Sequence, residues 1–299
     1  MKLVPAKIAN MNAFMIVSTF FCLWLAAFFG DRAEAFLAYM FVFSFGIMHG
    51  ANDLKLIQRT TGMDSKSFYF RALISYLLVI GIIAVFFSFL PILALAFFVL
   101  ASGYHFGEQH WVSRTSLPSG LRELFFLSYG LLIFFLLFYF HSEEVSRIIL
   151  EVTDFYIPVE FYFYGLLVSG LTFLAFFIWV AFKSLILTHL IEELFYLLVF
   201  YILFQSASLI WGFSIYFVIW HSIPSLMDQV QFLSGEISKK ALWNYFKSSL
   251  VYWIFSLVGL GVLYFLFEGQ DKLFFSILIY FLAAITFPHV LVMNKVNRI

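Results

Sequence analysis

The sequence predicts an all-α integral membrane protein, and its composition is the main reason. The chain has 299 residues, of which 64% are hydrophobic and only 11% are charged. Because soluble domains carry about 25% charged residues, most of this chain is expected to lie in lipid. The formal net charge is zero, so nothing indicates a nucleic-acid-binding surface.

Ten apolar segments predict a polytopic helical bundle with about ten transmembrane helices. A span needs about 20 mostly apolar residues, and the shorter segments are expected to be tilted or to end inside the protein. No soluble domain fits between the segments, so we expect a single transmembrane helical domain over residues 1–299. The segments cover residues 12–30, 35–50, 70–90, 91–107, 122–140, 159–182, 185–204, 206–222, 247–267 and 273–294.

The first segment has some features of a secretory signal peptide, with two lysines ahead of a long apolar run. That run, from Met11 to Phe29, is longer than the 7–15 residues of a signal-peptide core. We therefore expect the first span to be retained.

The distribution of Lys and Arg predicts the orientation of the spans, because these residues accumulate in cytoplasmic loops. With the N-terminus placed inside, fourteen of the 17 Lys and Arg residues fall on the inner side, and only Arg32, Arg147 and Lys272 fall outside. We therefore expect both termini to be cytoplasmic, in a multi-pass protein of the cell's inner (cytoplasmic) membrane.

Histidines near the ends of the even-numbered segments predict a metal site. These segments run in the same direction, so their histidines lie at one depth near the cytoplasmic face. Ionisable residues inside a membrane bundle usually face its interior, and neutral imidazole suits iron, copper and zinc. The alternative is that histidine, being amphipathic, simply collects at the interface. Four histidines at one level favour a site, and they are His49, His105, His221 and His289.

Further polar residues near these histidines are candidates for alternative ligands or for groups that orient a ligand. Asp53 follows His49 by one helical turn, while Glu108 and His110 follow His105. His189 and Glu192 are also one turn apart, so they can share a helix face. A solvated or interfacial position is the alternative for each. The single cysteine, Cys22, excludes a thiolate cluster.

Motifs of several other chemistries are missing from the sequence. It contains no H-x-x-x-H or H-x-x-H-H cluster of the di-iron desaturases, no G-x-S-x-G, no H-E-x-x-H and no P-loop. Two alternatives to a non-haem metal enzyme stay open. One is a bis-histidine haem-binding electron carrier, and the other is a transporter for a metal or an apolar molecule.

Four short motifs occur in order within the chain. They are His49-Gly50-Ala51-Asn52-Asp53, His105-Phe106-Gly107, Trp220-His221-Ser222 and Pro288-His289-Val290-Leu291-Val292. Their order and spacing resemble those of the bacteriorhodopsin-related protein (Brp/Blh) family of membrane β-carotene 15,15′-dioxygenases, over nearly the whole chain. The resemblance implies O₂-dependent central cleavage of β-carotene to two molecules of all-trans-retinal at a non-haem Fe(II) held by histidines. It also implies that β-carotene comes from membrane lipid and that retinal is passed to a rhodopsin.

The chain departs from the family's pattern at two positions. Ser225 stands where members often carry a second histidine, one turn after His221, and His110 stands where they often carry an aspartate. The fourth ligand is therefore open between His289 and His110. We favour His289, because it comes from a separate span at the matching depth and Pro288 can bend that helix. No catalytic residue beyond the metal ligands is implied.

Overall fold

Helices make up nearly all of the regular structure in the computed structural model, which describes residues 5–28, 30–186, 190–266 and 271–298. Within these ranges no strand forms, apart from an isolated bridge between Thr115 and Ile186. The α-helices are α1 (Pro5–Ala26), α2 (Asp31–Phe41), α3 (Asp53–Thr61), α4 (Lys66–Phe89), α5 (Pro91–Trp111), α6 (Leu121–Phe140), α7 (Ser142–Thr153), α8 (Glu160–Phe182), α9 (Leu190–Ser206), α10 (Leu209–Ile215), α11 (Ile223–Ser234), α12 (Lys239–Leu266) and α13 (Asp271–Val296). Two π-helical turns, Val42–Gly46 and Tyr216–Ser222, interrupt this pattern.

Seven helical segments of the described residues are long and apolar enough to cross a membrane. The predicted all-α, polytopic membrane fold is thus confirmed, although the described residues give seven candidate spans where the sequence predicted about ten. The seven segments are α4, α5, α6, α8, Leu209–Ser234, α12 and Ile279–Val296.

Three predicted spans are not among these seven segments. For the first, residues 12–30, the described apolar helix is Met11–Ala26 within α1. The second, residues 35–50, lies in a helical run over residues 31–48 that begins with the charged residues Asp31, Arg32 and Glu34. The seventh, residues 185–204, includes residues 187–189, which lie outside the described ranges, and α9 follows them from Leu190.

The boundary between α4 and α5 shows how local chemistry sets the helix ends. The Ser65 side chain caps α4 by accepting a hydrogen bond from the Phe68 N–H at 3.1 Å. Leu90 leaves the helical conformation because the proline that follows disfavours it. Pro91 is then the first residue of α5, a position where its missing N–H has no helical partner to lose.

Two compact units are distinguished by internal packing. Unit 1 comprises Met1–Val42, Gly103–Ser146 and Ile157–Pro224, and unit 2 comprises Phe43–Ser102, Arg147–Tyr156 and Ser225–Ile299. In unit 1, α6 packs against α8 and α9, and α2 packs against α10. In unit 2, α13 packs against α3, α4 and α12. The expectation of one transmembrane domain stays a prediction.

Glycines bring α5 and α6 into very close contact within unit 1. A Cβ built on Gly107 would overlap the Phe126 carbonyl oxygen and would lie only 2.6 Å from its carbonyl carbon. A Cβ on Gly130 would lie 2.7 Å from the Gly103 Cα. Gly103 and Gly107 are one helical turn apart, which is the small-x-x-x-small pattern of closely packed membrane helices. His105 lies between them on α5.

Candidate metal centre

Unit 1 brings two histidines together, His105 from α5 and His221 from the second π-helical turn. Their ring centroids are 4.7 Å apart with the ring planes at 77°, and both residues are buried. The Phe106 ring lies 4.4 Å from the His221 ring, and the Phe217 ring stacks on it at 5.7 Å. Unit 1 therefore presents two buried imidazoles beside an aromatic wall.

The π-helical turn that carries His221 is a local feature with functional meaning. A π-turn widens the helix, changes the direction of the side chains within it and is frequent at functional sites. The Ser222 hydroxyl donates to the Phe217 carbonyl, five residues earlier, at 2.8 Å. Trp220, in the same turn, donates from its indole nitrogen to the Thr19 hydroxyl of α1 at 2.9 Å. These bonds fix the turn on both sides of His221.

Unit 2 contains a second pair, His49 and His289. Their ring centroids are 4.7 Å apart with the planes at 89°, and both residues are buried. His49 follows the first π-helical turn, and His289 lies in α13, which continues as a helix through Pro288. Each unit thus brings together two of the four histidines in the family motifs.

Asp53 is the closest acidic partner of the second pair. One carboxylate oxygen lies 2.9 Å from Nδ1 of His289 and the other lies 3.1 Å from it. Asp53 is 2% exposed, and the Tyr76 hydroxyl donates to its Oδ2 at 2.9 Å. In the tautomer with the proton on Nδ1 of His289, this nitrogen donates to the Asp53 carboxylate. Metal-binding histidines typically have this arrangement, with Nε2 as the coordinating atom.

The segment that joins His49 to Asp53 is held by α12. The Tyr245 hydroxyl is 3.2 Å from the His49 carbonyl oxygen and 2.7 Å from the Gln229 side-chain oxygen. Asn52 donates to the Tyr245 carbonyl at 3.2 Å and accepts from the Ser248 hydroxyl at 2.6 Å. Asn52 and Gln229 were not among the candidates from the sequence, although the place of Asn52 inside the His49 motif indicated a role near the site.

The structure places His110 in a buried ion-pair cluster of unit 1. Its Nε2 lies 2.7 Å from a Glu193 carboxylate oxygen, and Arg114 donates to the other oxygen at 2.8 Å. The ring stacks on Tyr129, with 4.7 Å between centroids. His110 therefore has a defined role as the partner of Glu193, and the observed contacts require no metal there.

The remaining sequence candidates have different environments. Glu193, at 4% exposure, is buried, whereas its neighbour Glu192 is exposed. Glu108 is buried and accepts from the Tyr104 hydroxyl at 3.1 Å. His189 lies outside the described residues.

Ser225, where family members often carry a histidine, is fully buried in unit 2. Its hydroxyl accepts a hydrogen bond from the Gln229 side chain at 3.2 Å. Gln229 in turn accepts from Tyr245, so the serine belongs to the same network that supports the His49 segment.

The donor set of each pair fits a metal ion of the kind that prefers imidazole. Two adjacent buried imidazoles suit iron, copper or zinc, while hard ions such as calcium prefer oxygen ligands. The Asp53 carboxylate contacts Nδ1 of His289, and metal-binding histidines usually have such a partner. The residues therefore have donors that suit a metal ion.

Comparison with known proteins gives the family. A family model described as "Beta-carotene 15,15'-dioxygenase" matches residues 40–297, a range that contains all four histidine motifs. No curated protein and no solved structure matches the chain. The family match confirms the resemblance to the Brp/Blh dioxygenases, and because it covers most of the sequence, the chain belongs to the β-carotene 15,15′-dioxygenase family.

Proposed function

We propose that this protein uses O₂ to cleave the central double bond of β-carotene, yielding two molecules of all-trans-retinal. Membership of the β-carotene 15,15′-dioxygenase family carries this proposal. The cofactor we propose is a non-haem Fe(II) ion, and its ligands are His49, His105, His221 and His289. When bound, the iron supplies the redox chemistry that allows O₂ to react with a closed-shell polyene.

Support for this ligand set comes from each unit separately. In unit 1, His105 and His221 are adjacent and buried. In unit 2, His49 and His289 are adjacent and buried, and the Asp53 carboxylate lies 2.9 Å from Nδ1 of His289. Imidazole nitrogen suits iron, so four neutral imidazoles are a reasonable donor set for Fe(II). That both pairs bind the same ion rests on the family motifs.

Aromatic side chains within unit 1 suit an apolar substrate. Phe106 and Phe217 contact the His221 ring, and Phe134 and Phe213 extend this wall by stacking on those two phenylalanines. Such a surface binds a polyene by apolar and stacking contacts and keeps water away from the reacting double bond. No general acid or base is needed among these residues.

The membrane setting suits the proposed substrate, because β-carotene dissolves in lipid. Exposed apolar side chains cover the candidate spans; Ile82 on α4 and Phe255 on α12 are 64% and 72% exposed. We propose that β-carotene reaches the protein directly from the inner membrane. We also propose that both termini and the metal centre lie on the cytoplasmic side and that retinal passes to a rhodopsin.

Expression in β-carotene-producing cells tests the proposed reaction. Wild-type protein should bleach the orange pigment and produce retinal, measured by chromatography of extracted pigments. His221→Ala should leave the cells orange. His141→Ala should retain activity, because His141 ends α6 and contacts the Phe204 carbonyl oxygen at 3.0 Å, apart from both pairs. Orange cells with well-expressed wild-type protein, or off-centre apocarotenals as products, would contradict the proposal.

Absorption and metal content separate this function from the two alternatives. Purified protein with stoichiometric iron and no Soret band supports the dioxygenase. A strong Soret band would instead indicate a haem-binding electron carrier, and a metal-free active protein would indicate a transporter. Family membership already favours the dioxygenase.

A further inference from the structure

Tyr76 is an unusual residue on the helix where it lies. The helix α4 is largely apolar, and many of its side chains are exposed, among them Leu77, Leu78 and Ile82. Tyr76 instead directs its hydroxyl to the Asp53 carboxylate, at 2.9 Å from Oδ2. No sequence motif of the family includes this tyrosine.

The carboxylate that Tyr76 contacts is buried and has few ways to be stabilised. Asp53 is 2% exposed, and an isolated buried carboxylate is strongly disfavoured unless it is hydrogen-bonded. Its position in the first turn of α3 adds the favourable end of the helix dipole. Its side-chain hydrogen bonds go to His289 of α13 and to Tyr76 of α4.

The distances indicate what the tyrosine does. Both Asp53 oxygens are within reach of Nδ1 of His289, at 2.9 and 3.1 Å, so His289 alone does not fix the rotation of the carboxylate. The Tyr76 hydroxyl occupies Oδ2 and leaves Oδ1 as the stronger acceptor for the imidazole. The rotation of the carboxylate sets the direction of the Nδ1–H bond and hence the direction of Nε2.

We propose that Tyr76 is a positioning residue for the metal centre and acts through Asp53 on His289. This inference rests on the proposed role of His289 as an iron ligand. Tyr76 touches neither the metal nor the substrate in this assignment. It holds the partner of a ligand, and removing its hydroxyl weakens metal binding without removing any ligand.

Metal titration of the purified apoprotein in detergent tests the inference without relying on catalysis. Co(II), whose visible absorption reports its coordination, is titrated into wild type, Tyr76→Phe, Asp53→Asn and the double variant. Partners of metal-binding histidines typically contribute about 10–100-fold in affinity, which is the loss expected for Asp53→Asn. For Tyr76→Phe we expect a smaller loss of Co(II) affinity, about 3–10-fold, because Tyr76 is one contact further from the metal than Asp53. Tyr69→Phe, two turns earlier on α4, is the matched control and should bind Co(II) like wild type.

The double variant distinguishes positioning from a general structural effect. If Tyr76 acts through Asp53, the double variant binds Co(II) no more weakly than Asp53→Asn alone, because coupled residues are not additive. If the affinity losses of the two single variants multiply in the double variant, that result would overturn the inference. So would wild-type affinity in Tyr76→Phe alongside a loss in Asp53→Asn, and that result would leave the proposed function intact.

The His289→Ala variant separates a failure of the positioning role of Tyr76 from a failure of the proposed ligand role of His289. If His289→Ala and Asp53→Asn both bind Co(II) like wild type, His289 is not a ligand, and the inference fails together with that part of the proposed function. Thermal unfolding of each apoprotein checks the fold. Tyr76→Met, a second variant without the hydroxyl, should show the same loss of affinity as Tyr76→Phe, and wild-type affinity in both would overturn the inference.

Discussion

Gly107→Ala should separate α5 from α6 and thereby displace His105. In the native structure the backbones touch, since a Cβ on Gly107 would overlap the Phe126 carbonyl oxygen and lie 2.6 Å from its carbonyl carbon. Cβ atoms essentially never approach other heavy atoms closer than 3.0 Å. The obstacle is backbone, which no side-chain rotation can move away.

The size of the effect follows from this overlap. To restore an ordinary contact with the carbonyl group, the two helices must move apart by about 1 Å, because a packed interior has no free space to absorb a methyl group. Overpacking of this kind typically destabilises by about 1–3 kcal/mol. His105 is two residues from Gly107, so a shift of α5 also disturbs the 4.7 Å spacing between the His105 and His221 rings.

Thermal unfolding and metal titration in detergent measure the two consequences. Gly107→Ala should lower the unfolding midpoint and weaken metal binding. Gly81→Ala is the matched control, because Gly81 lies in the membrane helix α4 and a Cβ there would meet no atom within 4 Å. A Gly107→Ala protein as stable as Gly81→Ala and with wild-type metal affinity would refute the reasoning.

Two further predictions concern the ion-pair cluster and the orientation in the membrane. Glu193→Gln leaves the partly buried Arg114 guanidinium without its counter-charge and should destabilise the fold by about 1–3 kcal/mol. Glu192→Gln, at an exposed position, should have almost no effect on thermal unfolding, and equal effects of the two variants would contradict the cluster. In a Cys22→Ala background, an impermeant thiol reagent on intact cells should label Glu143→Cys but not Ser116→Cys, both at exposed positions. The reverse labelling pattern would invert the proposed topology.

Long apolar helices were predictable because hydropathy and length are averaged over many residues. The predicted segments 122–140 and 159–182 agree closely with Leu121–Phe140 and Glu160–Phe182. The hydropathy pattern failed where a single local feature sets the helix geometry. The π-helical turn Val42–Gly46 lies within the segment 35–50, and nothing in its apolar sequence distinguishes it from an ordinary helix.

The sequence motifs indicated the histidines of the candidate site and named Asp53 as a candidate partner, but they could not show which histidine Asp53 contacts. The motifs identified His49, His105, His221 and His289, since each motif is short and local. The contact between Asp53 and His289 joins residues 236 positions apart, and such a contact depends on tertiary packing. Spacing from His189 likewise indicated Glu192, whereas the buried Glu193 is the glutamate that meets His110. Tyr76 lies in an apolar helix with no motif around it, so only the structure reveals it.

The number of iron ions bound per chain tests most directly the proposal that His49, His105, His221 and His289 are the ligands of an iron ion. Wild-type protein purified without oxygen should bind a single iron ion per chain and form retinal. His105→Ala and His289→Ala, which alter different pairs, should each lose the iron and the activity. His110→Ala should keep most of its iron, because His110 pairs with Glu193. Full iron occupancy in His289→Ala, or loss of iron in His110→Ala alone, would contradict the account.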